Sequence, residues 1–198
     1  MLGGFRPAMS NLSFELQMEL TPILRSGDIA RCERTLVARL ASLPLSPFHI
    51  ILDLSITTDA KTVALWFDEF FQQHIARFQI GAAYTEMNAF FINPDLWFCN
   101  AFAYEQYGGH DDYDWLSRWQ SEDSDICVIE GFEPLQNVYA NGTPDKRFWD
   151  SSTIADLLVI IKFQDLIRRA VPHMRQLRFP LLATAHDYDF IYEIRPDA

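Results

Sequence analysis

The stretch from Gln79 to Tyr104, QIGAAYTEMNAFFINPDLWFCNAFAY, decides the fold class. Gln79 to Ile92 is rich in residues that favour extended chain, and it predicts one or two strands interrupted near Glu86. Asn93-Pro94-Asp95 is a turn signal, because proline presets φ while Asn and Asp close a turn through their side chains. Leu96 to Tyr104 follows as a strand with apolar residues on both faces. Two strands around a proline turn predict a hairpin, and a hairpin predicts antiparallel pairing.

The segments on either side fill in the rest. Asn11 or Ser13 caps a first helix through Leu24, with Phe14, Met18 and Leu20 inward. Asp28 to Leu43 carries Ile29, Leu36, Leu40 and Leu43 at helical spacing and gives a second helix. Phe48 to Ile56 (FHIILDLSI) reads as a strand inside the sheet. Thr58 or Asp59 caps a central helix from Ala60 to Phe78, with Val63, Trp66, Phe67, Phe70, Phe71, Ile75 and Phe78 as one apolar stripe. Ile126 to Glu130 is a short strand, and Pro134 opens a short helix that Asn141-Gly142 ends. Ser151 or Ser152 starts a long helix to about Ala170, with Ile154, Leu157, Leu158, Ile161 and Ile167 inward. Phe179 to Ile194 closes as a strand or hairpin.

This order lacks regular βαβ alternation, so the fold class is α+β. The expected architecture is a mixed or mostly antiparallel sheet of five to six strands. Two long helices, one central and one in the C-terminal half, pack it together with an N-terminal helix pair. At 198 residues the chain reads as a single domain, with residues 1–10 as an irregular lead-in. No repeat or linker divides it.

The formal charge of −11, from 27 acidic and 16 basic residues, disfavours nucleic acid, which is bound through clustered Lys and Arg. It disfavours an anionic membrane surface for the same reason. The chain is expected to be soluble and cytoplasmic: the start lacks the apolar run of a signal peptide, and no apolar run is long enough to span a bilayer. Cys32, Cys99 and Cys127 are odd in number and lack CxxC spacing, which suits reduced thiols.

The functional signal lies in Glu105 to Asp125, EQYGGHDDYDWLSRWQSEDSD. Glu105, Asp111, Asp112, Asp114, Glu122, Asp123 and Asp125 face one base, Arg118, for a local charge of about −6. Tyr107, Tyr113, Trp115 and Trp119 are interleaved with them. Carboxylates steer a cationic partner while amphipathic rings supply contact area. Asp112 or Asp114 caps a short helix through Trp119, which puts Trp115 and Trp119 on one face. That face either meets the partner or packs on the sheet and leaves the acids outside.

Other chemistries have less support. HDDYD at 110–114 and HDYD at 186–189 set His110 and His186 beside carboxylates, but the spacing matches no metal-ligand pattern, and no metal or other cofactor is expected. No G-x-S-x-G elbow is present, and the Gly108-Gly109 doublet lacks a phosphate-cradling context. Paired carboxylates beside Trp115 and Trp119 would suit glycoside chemistry only if one acid were desolvated.

The expected function is therefore binding of a basic protein, by an inhibitor or immunity-type protein whose acidic aromatic surface neutralises it. The alternatives are a small hydrolase using carboxylates with His110 or His186, and a scaffold subunit that self-associates through a Phe-rich surface.

Overall fold

Ala82–Asn88 (β1) and Phe98–Tyr104 (β2) form the centre of the sheet in the computed structural model, which describes residues 11–142 and 145–196. They pair antiparallel from Ala82 opposite Tyr104 to Asn88 opposite Phe98, closing the hairpin expected around Pro94. β1 runs unbroken through Glu86, where the sequence suggested an interruption. Pairing on both edges explains this, since β1 also runs parallel to Leu181–Ala185 (β4). Cys127–Val128 (β3) adds antiparallel to β2, and Tyr192–Ile194 (β5) adds antiparallel to β4. The five-stranded sheet has the order β3-β2-β1-β4-β5 and is mixed. The fold is α+β, as the element order implied. The lead-in expected at residues 1–10 lies outside the described residues.

Five α-helices are described: Asn11–Arg25 (α1), Ile29–Ala41 (α2), Ala60–Ile75 (α3), Glu133–Ala140 (α4) and Trp149–Ala170 (α5). α5 is buried nearly all round, with Ile154, Leu157, Leu158, Ile160, Ile161 and Phe163 inside. A helix apolar on every side belongs in the middle of a core, and α5 packs between α2, α3 and β4. Its start differs from expectation. Ser151 and Ser152 are buried in the first turn, and the Ser152 hydroxyl donates to Trp149 O. α3 begins as expected, with the Asp59 carboxylate accepting from the Lys61 and Thr62 N–H groups. It ends at Ile75, and His74 takes the inward position in place of the exposed Ile75. Burial lowers the His74 pKa, which favours its neutral form against Phe70.

Two further expectations are corrected. Phe14 and Met18 are 58% and 62% exposed, because α1 turns Leu16, Leu20 and Leu24, spaced four apart, into the core instead. Pro47–Asp53 is a 3-10 helix and not the expected strand. A short run with apolar residues on both faces has no period that separates strand from helix. Local chemistry chooses here: Pro47 sits in the first turn, the Ser46 N–H donates to His49 Nδ1 at 3.1 Å, and His49 Nε2 lies 2.9 Å from Leu40 O. Phe48 and Ile51, three apart, are the buried pair, which suits three residues per turn.

The helices cover one sheet face, against Ala83, Met87, Cys99, Ala101, Leu181 and Ala183. The opposite face presents Ala82, Tyr84, Tyr104, Leu182 and Ile191, and the acidic segment lies on it.

Candidate functional site

Residues 105–126 are the connection between β2 and β3. The outgoing limb crosses the second sheet face and brings Tyr107, Tyr113, Trp115 and Leu116 onto its apolar patch. Trp115 meets Tyr104 edge-on at 4.8 Å and Tyr107 at 5.7 Å, and its indole N–H donates to Gly109 O at 3.0 Å. The Tyr104 hydroxyl donates to Leu116 O. The return limb runs along the β2 edge that two-residue β3 leaves open. Gln120 N–H donates to Ala103 O, while the Ser121 and Ser124 hydroxyls accept from Ala103 and Ala101 N–H. An uncovered strand edge invites aggregation, and these serines occupy it.

The helix expected through Trp119 is one 3-10 turn, Asp114–Ser117. The reason is tertiary: the Trp115 indole is held by Gly109, and Gln120 is drawn to the β2 edge, so the chain straightens after a single turn. Asp112 does act at its start, accepting from Asp114 N–H at 2.9 Å. Trp115 and Trp119 consequently share no helical face. Trp115 is half-buried, whereas Trp119 leans on Phe102 with ring centres 5.2 Å apart and stays 45% exposed.

Gly108 permits this seating, because a Cβ there would overlap the Trp115 ring. Gly108→Ala is expected to push Trp115 off the sheet and red-shift its emission. It should cost about 1–3 kcal/mol of stability through overpacking. An unchanged fluorescence spectrum together with an unchanged urea midpoint would refute this seating.

The carboxylates point outward. Glu105, Asp111, Asp112, Asp114, Glu122, Asp123 and Asp125 are all exposed. Among the described residues, Glu122 alone of the seven is bridged to a Lys or Arg, at 2.7 Å from Arg77. Several cations bridge acids elsewhere: Arg168 and Arg169 to Asp165, Lys162 to Glu33, and Arg195 to Glu193. Arg25 holds the loop through His110 O at 3.0 Å and leaves the carboxylates alone.

The two histidine tracts do not share a site. His110 Nδ1 lies 3.7 Å from Glu193, which also accepts from the Tyr107 hydroxyl at 2.6 Å. His186 Nδ1 lies 3.2 Å from Glu86, which accepts from the Tyr84 hydroxyl at 2.9 Å. Among the described residues no group of three His, Cys, Asp or Glu side chains is arranged to hold a metal ion. Two open clefts of about 530 and 520 Å³ lie against Leu45–Asp53 and against Thr57, Thr58, Trp66 and Cys127. Neither is lined by His110, His186 or an acid of the loop.

Two clusters escaped the sequence reading. Asp156, inside the most apolar run of the chain, accepts from the hydroxyls of Tyr139 and Tyr188, the latter at 3.0 Å. Burial pushes its carboxyl up to about 7, against the pull of the two phenols. A lone acid among Ile and Leu was the available signal, but its partners are 17 and 32 residues away. Cys99 and Cys127 stand opposite each other across β2 and β3, a pairing that only register reveals.

Among the described residues no helix is long and apolar enough to cross a membrane. Comparison with known protein families, with curated proteins and with solved structures finds no match.

Proposed function

We propose that the protein binds a basic protein through the outward face of residues 105–126, and acts as an inhibitor of immunity type on a cationic enzyme. The observation that carries this reading is the split between rings and acids. Tyr107, Tyr113 and Trp115 anchor the loop on the sheet, and Asp111, Asp112, Asp114, Asp123 and Asp125 stand exposed without a Lys or Arg of the described chain bridging them. A loop fixed in advance loses little freedom on binding. An unneutralised anionic face accelerates encounter with a cation and disfavours nucleic acid. Trp119, half-exposed on Phe102 and next to Arg118 in the chain, offers ring area for contact.

The test uses the immobilised protein and a variant with Asp111, Asp112 and Asp114 all changed to Lys. Lysate of the source cell is applied at low salt and eluted by rising salt, and the association rate of any basic protein recovered is then measured against both forms. The wild type is expected to associate at least ten-fold faster at low salt, with the advantage shrinking as salt screens the charges. Activity of that partner, if an enzyme, should fall to a one-to-one endpoint. Equal association rates for the two forms would refute the proposal.

A further inference from the structure

We propose that Cys127 and Cys99 form a peroxide-responsive thiol pair that closes to a disulfide at the root of the acidic loop. All three cysteines are free thiols, but only these two are neighbours. Cys99 on β2 is opposite Cys127 on β3, and both side chains enter the same core face. Residues opposite each other on antiparallel strands have Cα atoms about 4.5–5.5 Å apart, inside the span a disulfide bridges.

The two thiols are unequal. Cys99 is fully enclosed, while Cys127 is 7% exposed and lines the cleft of about 520 Å³ with Thr57, Thr58, Asp59, Thr62 and Trp66. A small oxidant therefore meets Cys127 first. The neighbouring Cys99 thiol lowers the Cys127 pKa, whereas burial raises that of Cys99 well above the ordinary thiol range. Thiolate is the nucleophilic form, so Cys127 is the attacking group and Cys99 the resolving one.

The chemistry balances with a hydroperoxide as oxidant. The Cys127 thiolate attacks one peroxide oxygen, the O–O bond breaks, and the departing oxygen takes a proton and leaves as water or alcohol. Cys127 is then a sulfenic acid. Cys99 attacks Cys127 Sγ, the S–S bond forms as the S–O bond breaks, and the hydroxide leaves as water with the Cys99 proton. Two thiols are oxidised by two electrons, and one peroxide is reduced.

Register also makes the bridge reversible. Ile129 N–H donates to Trp97 O at 2.8 Å, so 97/129 is a hydrogen-bonded pair and, by alternation, 99/127 is another. Cβ atoms at such pairs lie toward about 5.5 Å, against about 3.8 Å in a relaxed disulfide. Closure draws the strands together, and thiol reductants should reopen it readily. Because β3 has only two residues, the bridge would be the strongest tie at the stem of the loop.

The full chain is treated with equimolar hydrogen peroxide in native buffer, quenched with catalase, unfolded and alkylated with N-ethylmaleimide. Uptake is expected to fall from three maleimides to one, carried by Cys32. The tryptic peptides Phe78–Arg118 and Trp119–Lys146 should be linked and lighter by two hydrogens, and dithiothreitol should restore three. Uptake of three, a bond to Cys32, or Cys127 carrying two added oxygens while Cys99 stays alkylatable would each overturn the pair. In Cys99→Ser, dimedone should trap Cys127 as its sulfenic acid, and a variant that traps nothing counts against the assigned order. The wild-type count stands without that variant, should its core not tolerate serine.

Discussion

Gly131→Ala is expected to lower the free energy of unfolding by about 3–5 kcal/mol, from backbone strain and overpacking together. Gly131 has φ +105°, where an L side chain is strained. A Cβ there would also overlap Ser55 O and approach Thr57 N to 2.8 Å. These are backbone atoms that cannot swing aside. The segment they belong to is tied to the chain entering Gly131, through Thr57 N–H to Glu130 O at 3.0 Å and Glu130 N–H to the Thr58 hydroxyl at 2.8 Å. Making room for a methyl group means parting those bonds at the mouth of the cleft that Cys127 lines. Gly27→Ala is the control, with φ +84° and nothing near its Cβ position, so it carries the strain alone. Urea unfolding should show the Gly131 variant losing at least twice as much as the control. Equal losses would mean the close approach to residues 55–57 does not hold in solution.

The second large effect is a pH dependence centred on Asp156. Its carboxyl has an ordinary value of 3.8, and burial raises it to about 7 in the folded chain. Between those values the unfolded chain releases a proton that the folded chain keeps, so folding binds a proton. Stability from this residue is therefore full below about pH 4, falls as pH rises, and levels off above about 7. Roughly three pKa units at 1.36 kcal/mol each set an upper bound of about 4 kcal/mol. Asp156→Asn removes the ionisation while keeping an oxygen that can accept from Tyr139 and Tyr188. Urea midpoints at pH 4.5 and 7.5 should fall more steeply in the wild type than in the variant, and the variant should become the more stable form above pH 7. Parallel profiles would show that the carboxyl does not titrate in that window.

Legibility differed from element to element for identifiable reasons. α3 and α5 were readable because wide apolar stripes and a capping Asp59 are local signals. The β1–β2 hairpin was readable because Asn93-Pro94-Asp95 is punctuation that the backbone obeys. Phe48–Ile56 was misread, since a short apolar run fits either a strand or a helix until Ser46, Pro47 and His49 act together. The inward face of α1 was misjudged because Phe14 and Leu16 are both apolar, and only contact with the rest of the core selects between them. The acidic loop was legible as composition. The sequence offered one shared face for Trp115 and Trp119, but the apolar patch of Tyr84, Tyr104 and Leu182 takes Trp115 with Tyr107 and Tyr113, while Trp119 stays half-exposed and the acids face water.

By itself the sequence determined the α+β class, the central hairpin, the main helices and the charge of the 105–125 segment, because each is written in residues close together along the chain. Tertiary structure alone decided the order of the strands, the face that α1 buries, the opposition of Cys99 to Cys127 and the enclosure of Asp156 by two tyrosines. Those features join residues between 17 and 32 positions apart or more. They follow from register and from exclusion of water, neither of which a local pattern of side chains encodes.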